Sequence, residues 1–217
     1  MPHSANRLLA AFGEGLVLAQ PHLKLVSIRA RGGLAATGER GEHAYFLHSG
    51  LLALMIPLED GSLTAAAVIG REGVVGGLCA LGLGTSLTRD IAYFDAQAYA
   101  MEAERLYDLT HRSQSIHDAM ENYLLGIIGQ GTRNTACNVR HSTEGRVARW
   151  LLTIGSMLES PEIRLSQAAL TDTIGGHTDL VATNALEVAP LAKSGKLRVL
   201  AVMGAERTAG LPNAPTL

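Results

Sequence analysis

Histidine, cysteine and serine most often build metal sites and nucleophilic centres, and their spacing in this chain favours neither. The chain has eight histidines, none in the HxxxH or HExxH array that presents two imidazoles on one helix face. His43 and His48 lie on a predicted strand, where an offset of five positions points them to opposite faces. Ser49-Gly50 lacks the flanking glycines of a nucleophile elbow. We therefore predict no metal site and no catalytic residue, so the protein is not expected to be an enzyme.

The two cysteines, Cys79 and Cys137, form neither a disulfide framework nor a CxxC pair, and they suit a reducing cytoplasm. An iron–sulfur cluster needs four ligands of this kind, which the chain does not have. Glu14 interrupts the nearest approach to a signal-peptide core, and no apolar run approaches the roughly 18 residues of a membrane span. We therefore predict a cytoplasmic protein without a membrane segment.

Length and composition indicate a folded chain with one large domain or two small ones. The 217 residues are 47% hydrophobic and 18% charged, and the net charge is −2. Aromatic residues make up only 4%, so Leu, Val, Ile and Ala must build most of the core. The chain lacks the basic footprint of a nucleic-acid-binding surface, which weighs against DNA binding.

The elements that would position a site begin with a helix predicted within residues 5–20 and a strand-rich region from 23 to 106. That region contains the short apolar runs LKLVSIRA, HAYFLHSG, LLALMIPL, LTAAAVIG and IAYFDAQAYAM. Glu59-Asp60-Gly61 separates two runs and predicts a hairpin turn, because glycine supplies a positive φ. Regular short strands of this kind predict a β-sandwich or a small β-roll.

After Glu104 the apolar spacing becomes helical. A short helix is predicted at 104–111 and a long one at 116–140, with Ser115 as the N-cap of the second. A further helix is predicted at 144–158. These helices follow the strands, so the predicted fold class is α+β.

One face of the long helix repeats every three or four residues, and we name it the predicted seam. Its members are Ile116, Met120, Tyr123, Ile127, Gln130 and Asn134. Gly126, Gly129 and Gly131 each cost roughly 1 kcal/mol against alanine, so the helix needs packing in order to form. Two interpretations stay open. The helices cap the β-domain of their own chain, or the predicted seam joins two copies in a homodimer.

Several short motifs resemble a Crp/Fnr-type subfamily of bacterial regulators. They are Asn6-Arg7-Leu8-Leu9, Gly38-Glu39-Arg40, His43-Ala44-Tyr45-Phe46, Ser49-Gly50, Gly70-Arg71-Glu72-Gly73, Ala136-Cys137-Asn138, His141 and Arg146-Val147-Ala148-Arg149-Trp150-Leu151-Leu152. The resemblance covers about residues 5–158. It implies a cyclic-nucleotide-binding-like β-roll at 5–112, and a dimerisation helix with its following helix at 113–160.

The same resemblance implies a ligand cassette that starts at the turn of Gly70, Arg71, Glu72 and Gly73. Arg89 stands where the family's phosphate-binding arginine stands, and its planar, permanently charged fork suits that role. Gly77 or Val75 occupies the position of the ribose-binding glutamate, and Asp90 adjoins Arg89. We therefore expect no bound cofactor, cyclic nucleotide included, and the effector stays unnamed.

The C-terminal region departs from this resemblance. Leu165-Ser166-Gln167 resembles the start of the family's winged helix-turn-helix, but no recognition helix follows. Residues 168–217 instead resemble substrate-binding proteins of tripartite tricarboxylate transport. The motifs are Ala169-Leu170-Thr171-Asp172, Gly175-Gly176-His177, Asp179-Leu180, Lys193-Ser194-Gly195-Lys196-Leu197-Arg198-Val199-Leu200-Ala201-Val202, Glu206-Arg207 and Leu211-Pro212-Asn213-Ala214-Pro215-Thr216. The predicted third segment, 165–217, is a short α/β fragment whose own stability is open.

Two functional hypotheses follow. In the first, the chain is the sensor and dimerisation module of a Crp/Fnr-like transcriptional regulator, defective in specific DNA binding. In the second, it is a fragment of a periplasmic carboxylate-binding protein or a non-functional gene fusion. Partners predicted by the first are a second copy of the chain and a small-molecule effector.

Overall fold

The N-terminal residues form two short helices rather than one. The computed structural model describes residues 6–57, 59, 63–78, 81, 82, 84–141, 143–158, 185–195, 199, 211 and 214. Within them, α1 spans Arg7–Ala11 and α2 spans Leu16–Ala19, with 3-10 turns at Gly13–Gly15 and Gln20–His22. The helix predicted within 5–20 is interrupted at Gly13, whose φ of 55° is left-handed. Asn6 caps α1 through its side-chain oxygen, which accepts from Leu9 N.

Seven strands form two antiparallel sheets. Their bounds are β1 Lys24–Ile28, β2 His43–Ser49, β3 Leu52–Pro57, β4 Leu63–Ile69, β5 Val74–Val75, β6 Arg89–Ala92 and β7 Ala96–Glu102. One sheet has the order β1-β7-β2-β5 and the other the order β4-β3-β6. The single run predicted at 91–101 was wrong in one respect, because a bend at 93–95 divides it between β6 and β7. The predicted hairpin between β3 and β4 is confirmed by their register, although Asp60 and Gly61 lie outside the described residues.

Apolar side chains from the two sheets share one core. Leu47 of β2, Leu52 of β3 and Ile69 of β4 are buried in the same cluster, so the sheets pack face to face. A second cluster joins the strands to the helices, and in it the rings of Phe12 and Phe46 meet edge to face at 5.7 Å. Aliphatic side chains make up most of both clusters, as the composition predicted.

Three helices follow the strands. They are α3 Ala103–Arg112, α4 Gln114–Arg140 and α5 Thr143–Leu158. The predicted helices at 104–111, 116–140 and 144–158 are close to these bounds. The N-cap assignment was wrong by two positions, because Ser113 precedes the first turn of α4 and Ser115 lies inside it. All three helices belong with the strands to a unit that spans Met1–Glu159.

The predicted seam faces the β-strands of its own chain. Ile116 and Met120 are fully buried in the core, and the Tyr123 hydroxyl donates to Val74 O at 3.0 Å. Ile127 packs against the inter-sheet cluster. Further along α4, Gln130 Oε1 accepts from Val68 N at 3.0 Å, and Asn134 Nδ2 donates to Ala66 O at 2.7 Å. The described contacts of these residues therefore lie within their own chain, as the first of the two interpretations expects, and the homodimer interpretation stays a prediction.

The second unit spans Ser160–Leu217, and its described part is mainly one helix. This helix, α6, covers Ala185–Lys193 and contains Pro190. Gly195 follows it with a φ of 76°, the left-handed conformation in which helices commonly end. The predicted strand at 197–203 and the motifs at 165–180 lie outside the described residues, apart from Val199.

Candidate ligand-binding cleft

A cleft of about 390 Å³ opens in the β-roll between the β1–β2 connection and strands β2, β5 and β6. This volume lies within the usual range for small-molecule sites. Its apolar wall includes Leu34, Ala35, Tyr45 and Val75. Gly76 lines the same cleft with a φ of 79°, and a Cβ there would come within 2.5 Å of His43 O. Glycine at this position lets the chain leave β5 in close contact with the backbone of β2.

Backbone hydrogen bonds hold one side of the cleft in place. The connection after β1 runs beside the segment that leads into β6. Asp90 N donates to Ala35 O at 3.1 Å, and Gly38 N donates to Ser86 O at 2.8 Å. Ser86 N in turn donates to Glu39 O at 2.8 Å. The cleft is therefore lined by backbone that its own pairing has already ordered.

Asp90 is the most deeply buried charged residue of the cleft. It is 2% exposed, and its Oδ1 accepts a hydrogen bond from Thr88 Oγ1 at 2.7 Å. Burial raises the pKa of the Asp90 carboxyl from 3.8 to about 6, while the Thr88 hydrogen bond lowers it. Within the described part of the chain, no ion pair neutralises this carboxylate. Ser86 Oγ fixes the backbone beside it by donating to Thr88 O at 2.8 Å.

The rim of the cleft carries further charged groups. Glu39, Arg40, Glu42 and His43 all line it. Arg40 directs Nη2 to Glu104 Oε1 at 2.8 Å, and both side chains are well exposed, so water screens this pair. Burial, followed by the charge of Glu42, raises the pKa of the Tyr45 hydroxyl. Carboxylates therefore outnumber cationic groups around the cleft.

The turn predicted to bind ligand serves as an anchor between elements. Gly70, Arg71, Glu72 and Gly73 connect β4 to β5, and none of them lines the cleft. Glu72 Oε1 accepts from Gly70 N at 2.8 Å, which closes the turn. Arg71 O accepts from Arg7 N and Gly73 O accepts from Asn6 Nδ2, at 2.8 and 2.9 Å. These two hydrogen bonds join the turn to the start of the N-terminal helix, and Gly73 O also accepts from Leu47 N of β2 at 3.3 Å.

Arg89 was predicted to bind phosphate, and the structure turns it away from the cleft. It is exposed at the start of β6, whereas the next residue, Asp90, is buried. Successive side chains of a strand point to opposite faces, so only one of this pair can face the interior. The same alternation could have identified Asp90 from the sequence, had the position of the sheet's inner face been known. Ser86 and Thr88 belong to no recognisable sequence motif, because their role depends on the hydrogen bonds between the Ser86 hydroxyl and the backbone of Thr88.

Among the described residues, no group of three or more His, Cys, Asp or Glu side chains is arranged to hold a metal ion. Within the same part of the chain, no helix combines the length and apolarity needed to cross a bilayer.

A β-roll of two antiparallel sheets followed by a long helix is the fold of cyclic-nucleotide-binding-type sensor domains, and Crp/Fnr-family regulators share it. The c-di-GMP-responsive global regulator CLP of Xanthomonas campestris has a TM-score of 0.62 and 16% identity, over 88% of this chain and 95% of that one. FixK2 of Bradyrhizobium japonicum has a TM-score of 0.55 and 18% identity, over 62% of this chain and 66% of FixK2. The catabolite activator protein of Thermus thermophilus has a TM-score of 0.51 and 18% identity, over 89% and 90% of the two chains.

These likenesses establish the fold class predicted from the sequence. No family model matches the chain, and no curated protein matches it in sequence. The likeness to transport proteins at the C-terminus stays a prediction from sequence alone.

Proposed function

We propose that the chain is the sensing and dimerising module of a Crp/Fnr-like transcriptional regulator, and that it responds to a small molecule bound in the β-roll. The observation that carries this proposal is the cleft of about 390 Å³ within a fold that regulators use for effector sensing. The cleft has ordered walls, a buried polar group and an apolar side, which are the usual features of a ligand site.

The exposed face of α4 supplies the surface for a second copy. Leu125, Ile128 and Val139 are 60%, 65% and 78% exposed. Together with Thr132 and Thr135 they step by three and four residues, the spacing of a coiled-coil seam. This exposed seam lies on a helix of 27 residues, about 40 Å long. In this proposal the second copy packs on the exposed seam, because the described contacts of the predicted seam are to the chain's own β-strands.

The two threonines of the exposed seam are compatible with burial. Thr132 Oγ1 donates to Ile128 O at 2.9 Å, and Thr135 Oγ1 donates to Gly131 O at 3.0 Å. Each hydroxyl proton is thereby paired within its own helix. Association then leaves no hydroxyl donor unpaired, and the energetic cost of burying these side chains is small.

The oligomeric state tests this proposal. We expect the full chain to sediment as a dimer at micromolar concentration, and Ile128→Glu to convert it to a monomer with an unchanged far-UV CD spectrum. Val17→Glu is the matched control, because Val17 is 73% exposed on α2 and lies outside the exposed seam. A wild-type chain that stays monomeric would contradict the proposal, as would an Ile128→Glu variant that stays dimeric.

The proposal includes the loss of specific DNA binding that the sequence predicts for residues beyond 158. Its support is the absence of a recognition-helix pattern in that part of the sequence. Gel-shift experiments with palindromic sites of the family type are expected to show no specific band. A specific, competable band would overturn this part of the proposal and leave the sensing part intact.

A further inference from the structure

The charges around the cleft do not suit an anionic ligand. Asp90, Glu39 and Glu42 line it, and the guanidinium of Arg40 is drawn outward by Glu104. Arg89, at the start of β6, is exposed on the opposite side of that strand from Asp90. A phosphate or carboxylate placed beside Asp90 would meet like charge with little water to screen it.

Among the described residues, Asp90 has no cationic partner of the kind that a buried carboxylate requires. Thr88 satisfies one of its oxygens, and no cation of the described chain pairs with it. Removing a carboxylate from water is expensive unless an opposite charge and hydrogen-bond donors replace the water. Since the carboxylate forms part of the cleft wall, a ligand can supply the missing charge.

The apolar wall of the cleft indicates the chemistry of the uncharged part of a ligand. Leu34, Ala35 and Val75 provide aliphatic surface, and the Tyr45 ring adds an aromatic face. The volume of about 390 Å³ accommodates one small organic molecule rather than a peptide segment. An aromatic face beside carboxylates is also a favourable environment for an ammonium or guanidinium group.

We propose that this cleft binds a small organic cation, an amine or guanidine on an apolar body, whose charged group pairs with the Asp90 carboxylate. This inference rests on the proposed sensing function and specifies its ligand class. The contact would be charge-assisted and would replace the water that the free cleft offers to Asp90. Glu39 and Glu42 would add attraction at the rim, and Ser86 would fix the position of Thr88.

Three probes that share a phenyl ring and differ in the charge of their polar group test which ligand charge the cleft prefers. Phenethylamine, phenethyl alcohol and phenylacetate are titrated into the full chain, with cyclic AMP as the anionic family-type ligand. Because fragments of this size bind weakly, probe concentrations reach about 10 mM and thermal shift is backed by calorimetry. We expect the amine to bind most tightly, the alcohol weakly and the two anions not at all.

Two variants test whether the Asp90 carboxylate makes the contact to the amine. Asp90→Asn keeps the acceptor for Thr88 and removes the charge, so it should weaken amine binding roughly tenfold or more. Glu14→Gln removes an exposed carboxylate outside the cleft and should leave amine binding unchanged. Affinity for the amine should also fall as pH drops through about 6, after correction for the other groups that face the cleft, Glu39, Glu42, His43, Arg40 and Tyr45.

Each outcome bears on one proposal. Tighter binding of cyclic AMP or phenylacetate than of the amine overturns the cation inference and leaves the sensing function standing. Amine binding that survives Asp90→Asn, or no binding of any probe, also overturns the inference. If the amine binds through Asp90 but sedimentation shows no dimer with or without it, the proposed function fails and the cation site stands.

Discussion

Asn134 Oδ1 accepts a hydrogen bond from Arg149 Nη1 at 2.6 Å, which ties α5 to α4. The same amide donates through Nδ2 to Ala66 O at 2.7 Å, so one side chain links α5, α4 and β4. Among the described residues, Arg149 Nε is buried without a hydrogen-bond partner, which makes the Nη1 contact to Asn134 more important. The position of α5 relative to the β-roll therefore depends on the side-chain amide of Asn134, whose oxygen binds Arg149 and whose nitrogen binds Ala66 O.

Asn134→Ala should lower the free energy of unfolding by about 1–3 kcal/mol, because Ala66 O and the Arg149 guanidinium lose their partner. Urea denaturation followed by CD measures the change. Arg133→Ala is the matched control, since Arg133 is exposed on the same helix and should change stability by less than about 0.5 kcal/mol.

Asn134→Asp refines the same prediction. The carboxylate would strengthen the contact to Arg149 but place an acceptor against Ala66 O, so we expect a net loss of stability. A variant as stable as wild type would show that the bond to Ala66 contributes little.

Gly73→Ala should destabilise the chain by about 1–3 kcal/mol, because the new Cβ would overlap the ring of Tyr123. Tyr123 is held against this glycine by its hydrogen bond to Val74 O at 3.0 Å. Thermal and urea unfolding measure the loss. In a double-mutant cycle with Tyr123→Ala, the two losses should sum to more than that of the double variant. Gly155→Ala on α5 is the control, because its Cβ would meet no atom within 4 Å.

Asp90→Asn should alter the pH dependence of stability. The native carboxyl has a pKa of about 6 against 3.8 in its reference state, so the native state holds the proton more tightly. The wild-type free energy of unfolding should therefore fall as pH rises from about 4 to about 6, by roughly 2–3 kcal/mol from this group. Subtracting the variant's pH profile from the wild-type profile isolates the contribution of Asp90. A wild-type-minus-variant difference that stays constant or increases as pH rises from about 4 to about 6 would contradict the assignment.

Gly126→Ala should stabilise the chain by up to about 1 kcal/mol. Gly126 is exposed on α4, and a Cβ there would meet no atom within 4 Å. Alanine removes the entropy cost of glycine in the middle of a helix. Urea denaturation measures the gain, and sedimentation should show an unchanged dimer, because Gly126 lies outside the exposed seam. A loss of stability would mean that another chain approaches this position closely.

Much of the fold follows from sequence pattern. The spacing of apolar runs predicts the strands within a few residues, and the three helices after Glu104 follow from a change of period. Interruptions were harder to predict. The first helix is interrupted at Gly13 because this residue has a positive φ, which the residue types do not reveal. The bend after Ala92 occurs inside a run of mostly apolar residues.

The sequence pattern did not show which face of a helix or strand packs against the rest of the protein. Both sides of α4 carry residues at three- and four-residue intervals, and periodicity does not say which side meets the β-roll. Gln130 and Asn134 suggested a polar half of an intersubunit seam, yet they bond to the backbone of β4. The same ambiguity affected Arg89 and Asp90, where one step along β6 exchanges a cation for an anion in the cleft.

The two amides on α4 also cover the open edge of β4. β4 is the outermost strand of its sheet, and outer strands present free N–H and C=O groups to which a strand of another molecule can pair. Gln130 occupies Val68 N and Asn134 occupies Ala66 O, two alternate positions of that open edge. Any change that lifts α4 from the β-roll would therefore uncover a template for intermolecular β-pairing.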